Sequence, residues 1–183
     1  MRQTLEQETN EPQWAQNDEA LAGIDAVDKV RGLLKHFRST MMVTQSGNAF
    51  HSRPMGLQGK AADFNGTLWF FTDDRSRKSM EIGIGTPMWL LFQSDGHSAY
   101  LQLSGTATHV SDRAKMEELY TPLIKTWFPK GLDEPHLTLL RFDALNGHYW
   151  DSPGGMLQVL AAFTKSVATG TPGKGGENGE LRL

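Results

Sequence analysis

Apolar residues first recur at helical spacing, with Leu21, Ile24, Val27, Val30, Leu34 and Phe37 falling three or four positions apart. Side chains at that interval share one face, so the pattern predicts an amphipathic helix that closes near Arg38. Asn17 is its expected N-cap, with Asp18 and Glu19 favouring the positive end of the helix. From Thr40 to Gly105 the pattern changes to that of strands. Met41 to Gln45 runs into the turn Ser46-Gly47-Asn48, Ala49 to about Leu57 follows, and Thr67 to Thr72 comes after the Asn65-Gly66 turn. A short helix is expected over Ser79 to Ile84, stopped by Pro87, and then a buried strand from Met88 to Gln93. Asp95-Gly96 turns the chain into a strand from Ala99 to Ala107, whose interior Gly105 marks a bulge or bend. Ser111 is read as the cap of a second helix, broken at Pro122 and finished by Pro129. Strands are expected at Leu137 to Phe142 and Asn146 to Trp150, and a further helical segment from Met156 to Ala168.

Neighbouring strands with turn-length connections and few helices predict an α+β, mainly β, fold, a closed antiparallel barrel with flanking helices rather than a doubly wound sheet. Residues 1–16 read as a mobile polar arm, 17–169 as one domain, and 170–183 as a mobile glycine-rich tail. At 183 residues the chain is within the range of one domain with a continuous core.

Composition narrows the function. A net charge of −3 argues against general nucleic-acid binding, which needs a basic face, but leaves room for a local basic pocket. With no cysteine, disulfides, thiolate nucleophiles and cysteine-held metals are ruled out. The histidines show no metal-ligand spacing, so no metal site is expected. The polar N-terminus lacks a signal-peptide core and no run is apolar enough to cross a bilayer, so a cytoplasmic protein is expected. Gly170-Thr171-Pro172-Gly173-Lys174 lacks the ending, the preceding strand and the following helix of a phosphate loop.

Three segments carry candidate chemistry. Leu68-Trp69-Phe70-Phe71-Thr72 is a strand ending in a hydroxyl; it crosses an acidic turn to Ser76-Arg77-Lys78. Arginine offers a planar fork of donors and lysine a movable point charge, so the two can grip a small anion such as phosphate from two directions. Ser52-Arg53-Pro54-Met55 places a proline in a strand; that strand belongs at an edge or a break, where free backbone groups can read the rim of a planar heterocycle. Trp150, at the end of a late strand, is placed to flank an aromatic ring.

On these residues, with Tyr149-Trp150-Asp151, the chain resembles the pyridoxamine 5′-phosphate oxidase-like split-barrel superfamily, and within it the general stress protein 26 type. The likeness spans roughly Asp18 to Trp150, with the Thr72-to-Lys78 spacing matching most closely. It implies an antiparallel split β-barrel and a homodimer with two FMN sites at the subunit interface, FAD or a deazaflavin being the alternative cofactor. Arg53, Pro54 and Met55 would lie along the flavin with Ser52 beside them, and Phe71 and Thr72 would meet its ring and phosphate ends. Ser76, Arg77 and Lys78 would hold the phosphate. Tyr100 falls where the oxidases carry a flavin-contacting glutamine, and Trp150 matches a tryptophan that approaches from the partner subunit.

The departures bear on activity. No Arg-x-His-Asp-Arg segment follows Trp150, and Gln58 stands where the oxidases' first motif ends in lysine. A substrate phosphate would lack its partners in a buried pocket, a loss on the order of several kcal/mol. The resemblance therefore implies a flavin protein that is not a pyridoxine phosphate oxidase. It is either an oxidoreductase with a nicotinamide donor and a small-molecule substrate, or a non-catalytic stress sensor or reservoir. No catalytic residue is assigned.

Overall fold

In the computed structural model the architecture turns on one long strand. The structure describes residues 20–76, 79, 82–83, 85–152, 164–165, 167 and 176–183. In chain order the elements are β1 (Leu21–Ala22), α1 (Gly23–Leu34), β2 (Ser39–Ser46), β3 (Ala49–Gly56) and β4 (Thr67–Asp73). There follow β5 (Thr86–Ser94), β6 (Ala99–Val110), α2 (Arg113–Leu119), β7 (Leu137–Asp151) and β8 (Glu177–Arg182). The strands form one sheet in the order β1-β8-β7-β6-β5-β2-β3, and β4 pairs with β7 off this path. All partners are antiparallel except β1 and β8.

β7 forks the sheet. Its first half, Leu137 to Asp143, pairs with β4, and its second half, Asn146 to Asp151, pairs with β8. The ladder with β6 shifts register between Ser104 and Gly105. That shift accommodates Gly105: a Cβ there would lie 2.1 Å from the Asp143 carbonyl oxygen, a clash that leaves room for glycine alone. The bulge expected at Gly105 is therefore present. The barrel is split, not closed. Between β3 and β4, among the described residues, the isolated bridge Gln58↔Trp69 joins the two edges.

The inner faces of these strands and the apolar face of α1 make the main core. Val30, Leu33 and Leu34 meet Met42, Phe70, Leu90, Leu103 and Phe142 there, each large side chain contributing about 1.5–3 kcal/mol on burial. A second cluster lies on the other side of β4 and β7, where Phe71, Leu137 and Leu139 pack under Met116 and Leu119 of α2. Both faces of β7 are thus covered near Leu139 and Leu140.

Several sequence expectations change. The first helix begins at Gly23, because Leu21 and Ala22 pair with β8 instead and Gly23 takes a positive φ of 57°; Asn17 lies outside the described residues. The second helix is capped by Asp112, not Ser111, its carboxylate accepting from the Lys115 N–H at 3.0 Å. Pro87 lies inside β5, beyond the stretch paired with β2. The two strands expected between Leu137 and Trp150 are a single bulged one. The tail expected to be mobile ends in β8, because the second half of β7 offers an edge that only a distant segment can fill. The helices expected over Ser79–Ile84 and Met156–Ala168 fall largely outside the described residues, as does the arm 1–16.

Lys29 ties α1 to this C-terminal strand. Its ammonium donates to Asp151 Oδ2 at 2.8 Å and to Glu177, and stands 4.6 Å from the centre of the Tyr149 ring. Burial alone would lower its pKa, but the two carboxylates outweigh burial and raise it above the ordinary 10.5. A raised lysine stabilises the fold fully at neutral pH, and the contribution fades only as pH climbs past 10.5 through the raised value. Lys29→Met is expected to cost about 1–3 kcal/mol in denaturant unfolding, since Asp151 is left partly buried without its cation. A cost near zero would show that β8 docks without the lysine.

Candidate functional site

Strand alternation sorts the expected residues into two faces. In β3, Arg53 and Met55 point inward with Met42, Thr44 and Thr40 of the paired β2, whereas Ser52 and Pro54 point outward. Met55 belongs to the main core, and the Arg53 guanidinium donates to the buried Thr44 hydroxyl. β3 is the terminal strand of the sheet, the place its proline requires. Phe71 is buried in the second cluster, so its side chain is occupied with packing.

The outward face of β2, β5, β6 and β7 is apolar and open. Met41, Leu91, Tyr100 and Trp150 are 40 to 46% exposed. Met41, Pro54, Leu91, Gln93, Tyr100 and Trp150 line a cavity of about 440 Å³, within the range of small-molecule sites, about 300–1,000 Å³. No described residue lining it carries a charge. Tyr100 and Trp150 are directly paired across β6 and β7. The cavity therefore suits a flat, uncharged ring.

A second cluster gathers at the end of β4. Thr72 is buried, and its hydroxyl lies 3.3 Å from that of Ser79, which lies 2.9 Å from Ser76 Oγ. Ser76 and Thr72 come from the motif; Ser79 does not, and only its hydroxyl, one position past the basic pair, hinted at it. Arg77 and Lys78 lie outside the described residues. The neighbouring acidic turn is neutralised locally. Arg75 donates to Asp73 from Nε, Nη2 and its backbone N–H, and these hydrogen bonds hold the Asp73 carboxyl below its usual pKa. Asp74 Oδ1 lies 3.0 Å from His136 Nδ1. An anion arriving at the hydroxyls thus meets acids already partnered.

One copy of the chain keeps the two clusters apart. Thr72 pairs with Thr138, and Tyr100 pairs with Trp150, twelve residues further along β7. At roughly 3.3 Å per residue that is about 40 Å of strand contour.

With this geometry in view, the comparisons are specific. A family model described as pyridoxamine 5′-phosphate oxidase like matches residues 25–173. The chain belongs to the pyridoxamine 5′-phosphate oxidase-like family. Similar structures include one described as general stress protein 26 from Jannaschia sp., with 25% identity and a TM-score of 0.73, covering 87% of this chain and 98% of that one. Another is the general stress FMN/FAD binding protein of Xanthomonas citri, 30% identical with a TM-score of 0.61, over 69% of this chain and 88% of that one. The bli-3 protein of Neurospora crassa is 26% identical over 144 residues, 73% of this chain and 68% of its own length. Within the family's split barrel, Gln58 pairs with Trp69 in the bridge across the split.

At the cavity end of this oxidase-like sheet, His36 from the α1–β2 connection stacks on His97 from the β5–β6 turn, ring centres 4.0 Å apart. Partial burial first, and then the charge of His97 and of Lys35, lower the His36 pKa below 6.5, with Asp151 pulling the other way. The unfolded chain then binds more protons than the folded one, so this contribution is present at neutral pH and is lost as pH falls from 6.5 through the lowered value. In an NMR titration, His36 is expected to titrate below 6.5, and His97→Ala to move its midpoint upward. A midpoint indifferent to His97 would remove the coupling.

Proposed function

We propose that this chain is an FMN-binding flavoprotein of the general stress type, working as a homodimer in which each flavin is held by two copies. The observation that carries the reading is the separation just described: a hydroxyl cluster fit for phosphate and an aromatic cavity fit for a ring stand at opposite ends of one sheet. A second copy, related by a two-fold axis, would bring the Tyr100 and Trp150 of one chain to the Thr72 and Ser76 of the other. The open apolar outer face supports this, because a patch of that kind marks an interaction surface. The FMN/FAD binding named for the Xanthomonas relative points to the same ligand class.

In this reading Thr72 and Ser76 donate to the phosphate, and Arg77 and Lys78, adjoining Ser76 in sequence, supply its countercharge. The backbone of β3 along its outer edge reads the ring's polar rim, while Arg53 stiffens that strand from inside through Thr44. Bound flavin would contribute one- or two-electron transfer, which no side chain here supplies. FMN is favoured over FAD because a single phosphate matches a single hydroxyl cluster. The uncharged cavity lining gives a phosphorylated vitamin B6 substrate no partner there, which argues against pyridoxine phosphate oxidation. The absence of a carboxylate, histidine or lysine among the described lining residues also keeps a second reading in view, a non-catalytic flavin reservoir or sensor. Oxidation of NADH or NADPH with an added acceptor would separate the two.

Purified protein reconstituted with FMN is expected to show the blue absorption band of bound oxidised flavin and to sediment as a dimer. Arg77→Ala with Lys78→Ala should weaken FMN at least about tenfold with the circular dichroism of the fold unchanged; unchanged affinity would mean the phosphate lies elsewhere. Trp150→Ala should weaken it independently. Mixed and re-equilibrated, the two defective variants should recover about one intact site in four, because a mixed dimer unites both defects in one site and spares the other. No recovery on mixing would place both groups on the same copy.

A further inference from the structure

The wall behind the hydroxyl cluster is built from residues outside the motif. Ser79 is buried, 5% exposed, and its hydroxyl donates to the Asp73 carbonyl at 2.7 Å. Its single hydrogen is thereby spent, so its oxygen can only accept from Thr72 and Ser76. The Ser79 backbone N–H in turn donates to Ser76 Oγ at 3.3 Å. From the sheet side, His109 of β6 brings Nε2 to 3.2 Å from the Ser79 carbonyl. A carbonyl only accepts, so Nε2 carries the hydrogen and a neutral ring leaves Nδ1 a bare acceptor. That atom is buried and meets no hydrogen-bond partner among the described residues. An apolar side chain would fill the same space without a buried unpaired nitrogen, so packing alone does not account for a histidine here.

We propose that Ser79 and His109 form the inner wall of an oxyanion subsite, with His109 a positioning residue that fixes the Ser79 backbone and so the Thr72 and Ser76 hydroxyls. Rotation about their C–O bonds lets those two hydroxyls turn their hydrogens from Ser79 to an arriving phosphate oxygen. Ser79 meanwhile stays locked between the Asp73 carbonyl and His109. The wall acts on the terminal phosphate of the ligand and not on its ring. The proposal rests on the flavin reading for the identity of the phosphate's carrier, but not for the existence of the subsite.

The test compares FMN with riboflavin, which lacks the phosphate, by fluorescence titration. His109→Leu is expected to weaken FMN about tenfold, the size of one lost hydrogen bond, with riboflavin affinity unchanged. His109→Gln, whose side-chain amide can still donate to the Ser79 carbonyl, should recover most of the loss. Should His109→Leu fail to fold, Ser79→Ala carries the same comparison, with FMN weakened and riboflavin unaffected. FMN affinity equal to wild type, or an equal loss for both flavins, would overturn the proposal. Wild-type protein that binds neither flavin would overturn the flavin reading, and inorganic phosphate alone then decides about the wall. A phosphate-induced rise in Tm that His109→Leu abolishes supports it; no rise, or an equal rise in both proteins, refutes it.

Discussion

The fifteen residues of β7 are the constraint on which the rest of the molecule depends. The strand pairs with β6 on one side for nearly its whole length and shares its other side between β4 and β8. A strand that long cannot stay flat against a curving barrel, and the register shift opposite Gly105 is where it yields. Beyond the shift the outward side of the second half carries Asn146, His148 and Trp150, while Leu137 and Leu139 of the first half are buried under α2. Because β7 is continuous, the hydroxyl cluster near Thr138 and the aromatic pair at Trp150 are held twelve residues apart along one strand.

How much of this was legible in the sequence depended on how local each signal was. Strands β5 and β6 were readable because one face of each is apolar at period two, and β2 to β4 because glycine or asparagine marks the turns between them. Leu21 and the segment Glu177–Arg182 were misread. Leu21 fits a helical period as well as a strand, and only the edge of β8 decides between them. β8 itself, Glu-Asn-Gly-Glu-Leu-Arg, has two inward side positions, Gly179 and Leu181, and so little apolar signal that composition reads it as coil. Its pairing is a tertiary fact, fixed by β7 and by the Lys29 ion pairs.

The candidate site divides along the same line. Thr72 and Ser76 stood out because the motif presents them in sequence, whereas Ser79 and His109 are 30 residues apart and meet only through the fold. Arg53 is instructive for the opposite reason. Its inward position follows from sharing a parity with Met55, a signal present in the alternation, while its bond to Thr44 appears only in the fold.

The hydroxyl cluster and the aromatic cavity of this chain have different linings. The described lining of the aromatic cavity is uncharged, and the acids beside the hydroxyl cluster are already engaged with Arg75 and His136. An anchor built from hydroxyls and cations contributes affinity, while a neutral aromatic slot contributes selectivity for a flat ring and little else. If the anchor and the slot belong to different copies, then dimerisation and ligand retention are a single linked equilibrium. Ligand binding pulls the copies together, and dilution of the protein loosens the ligand without any change in either half of the site.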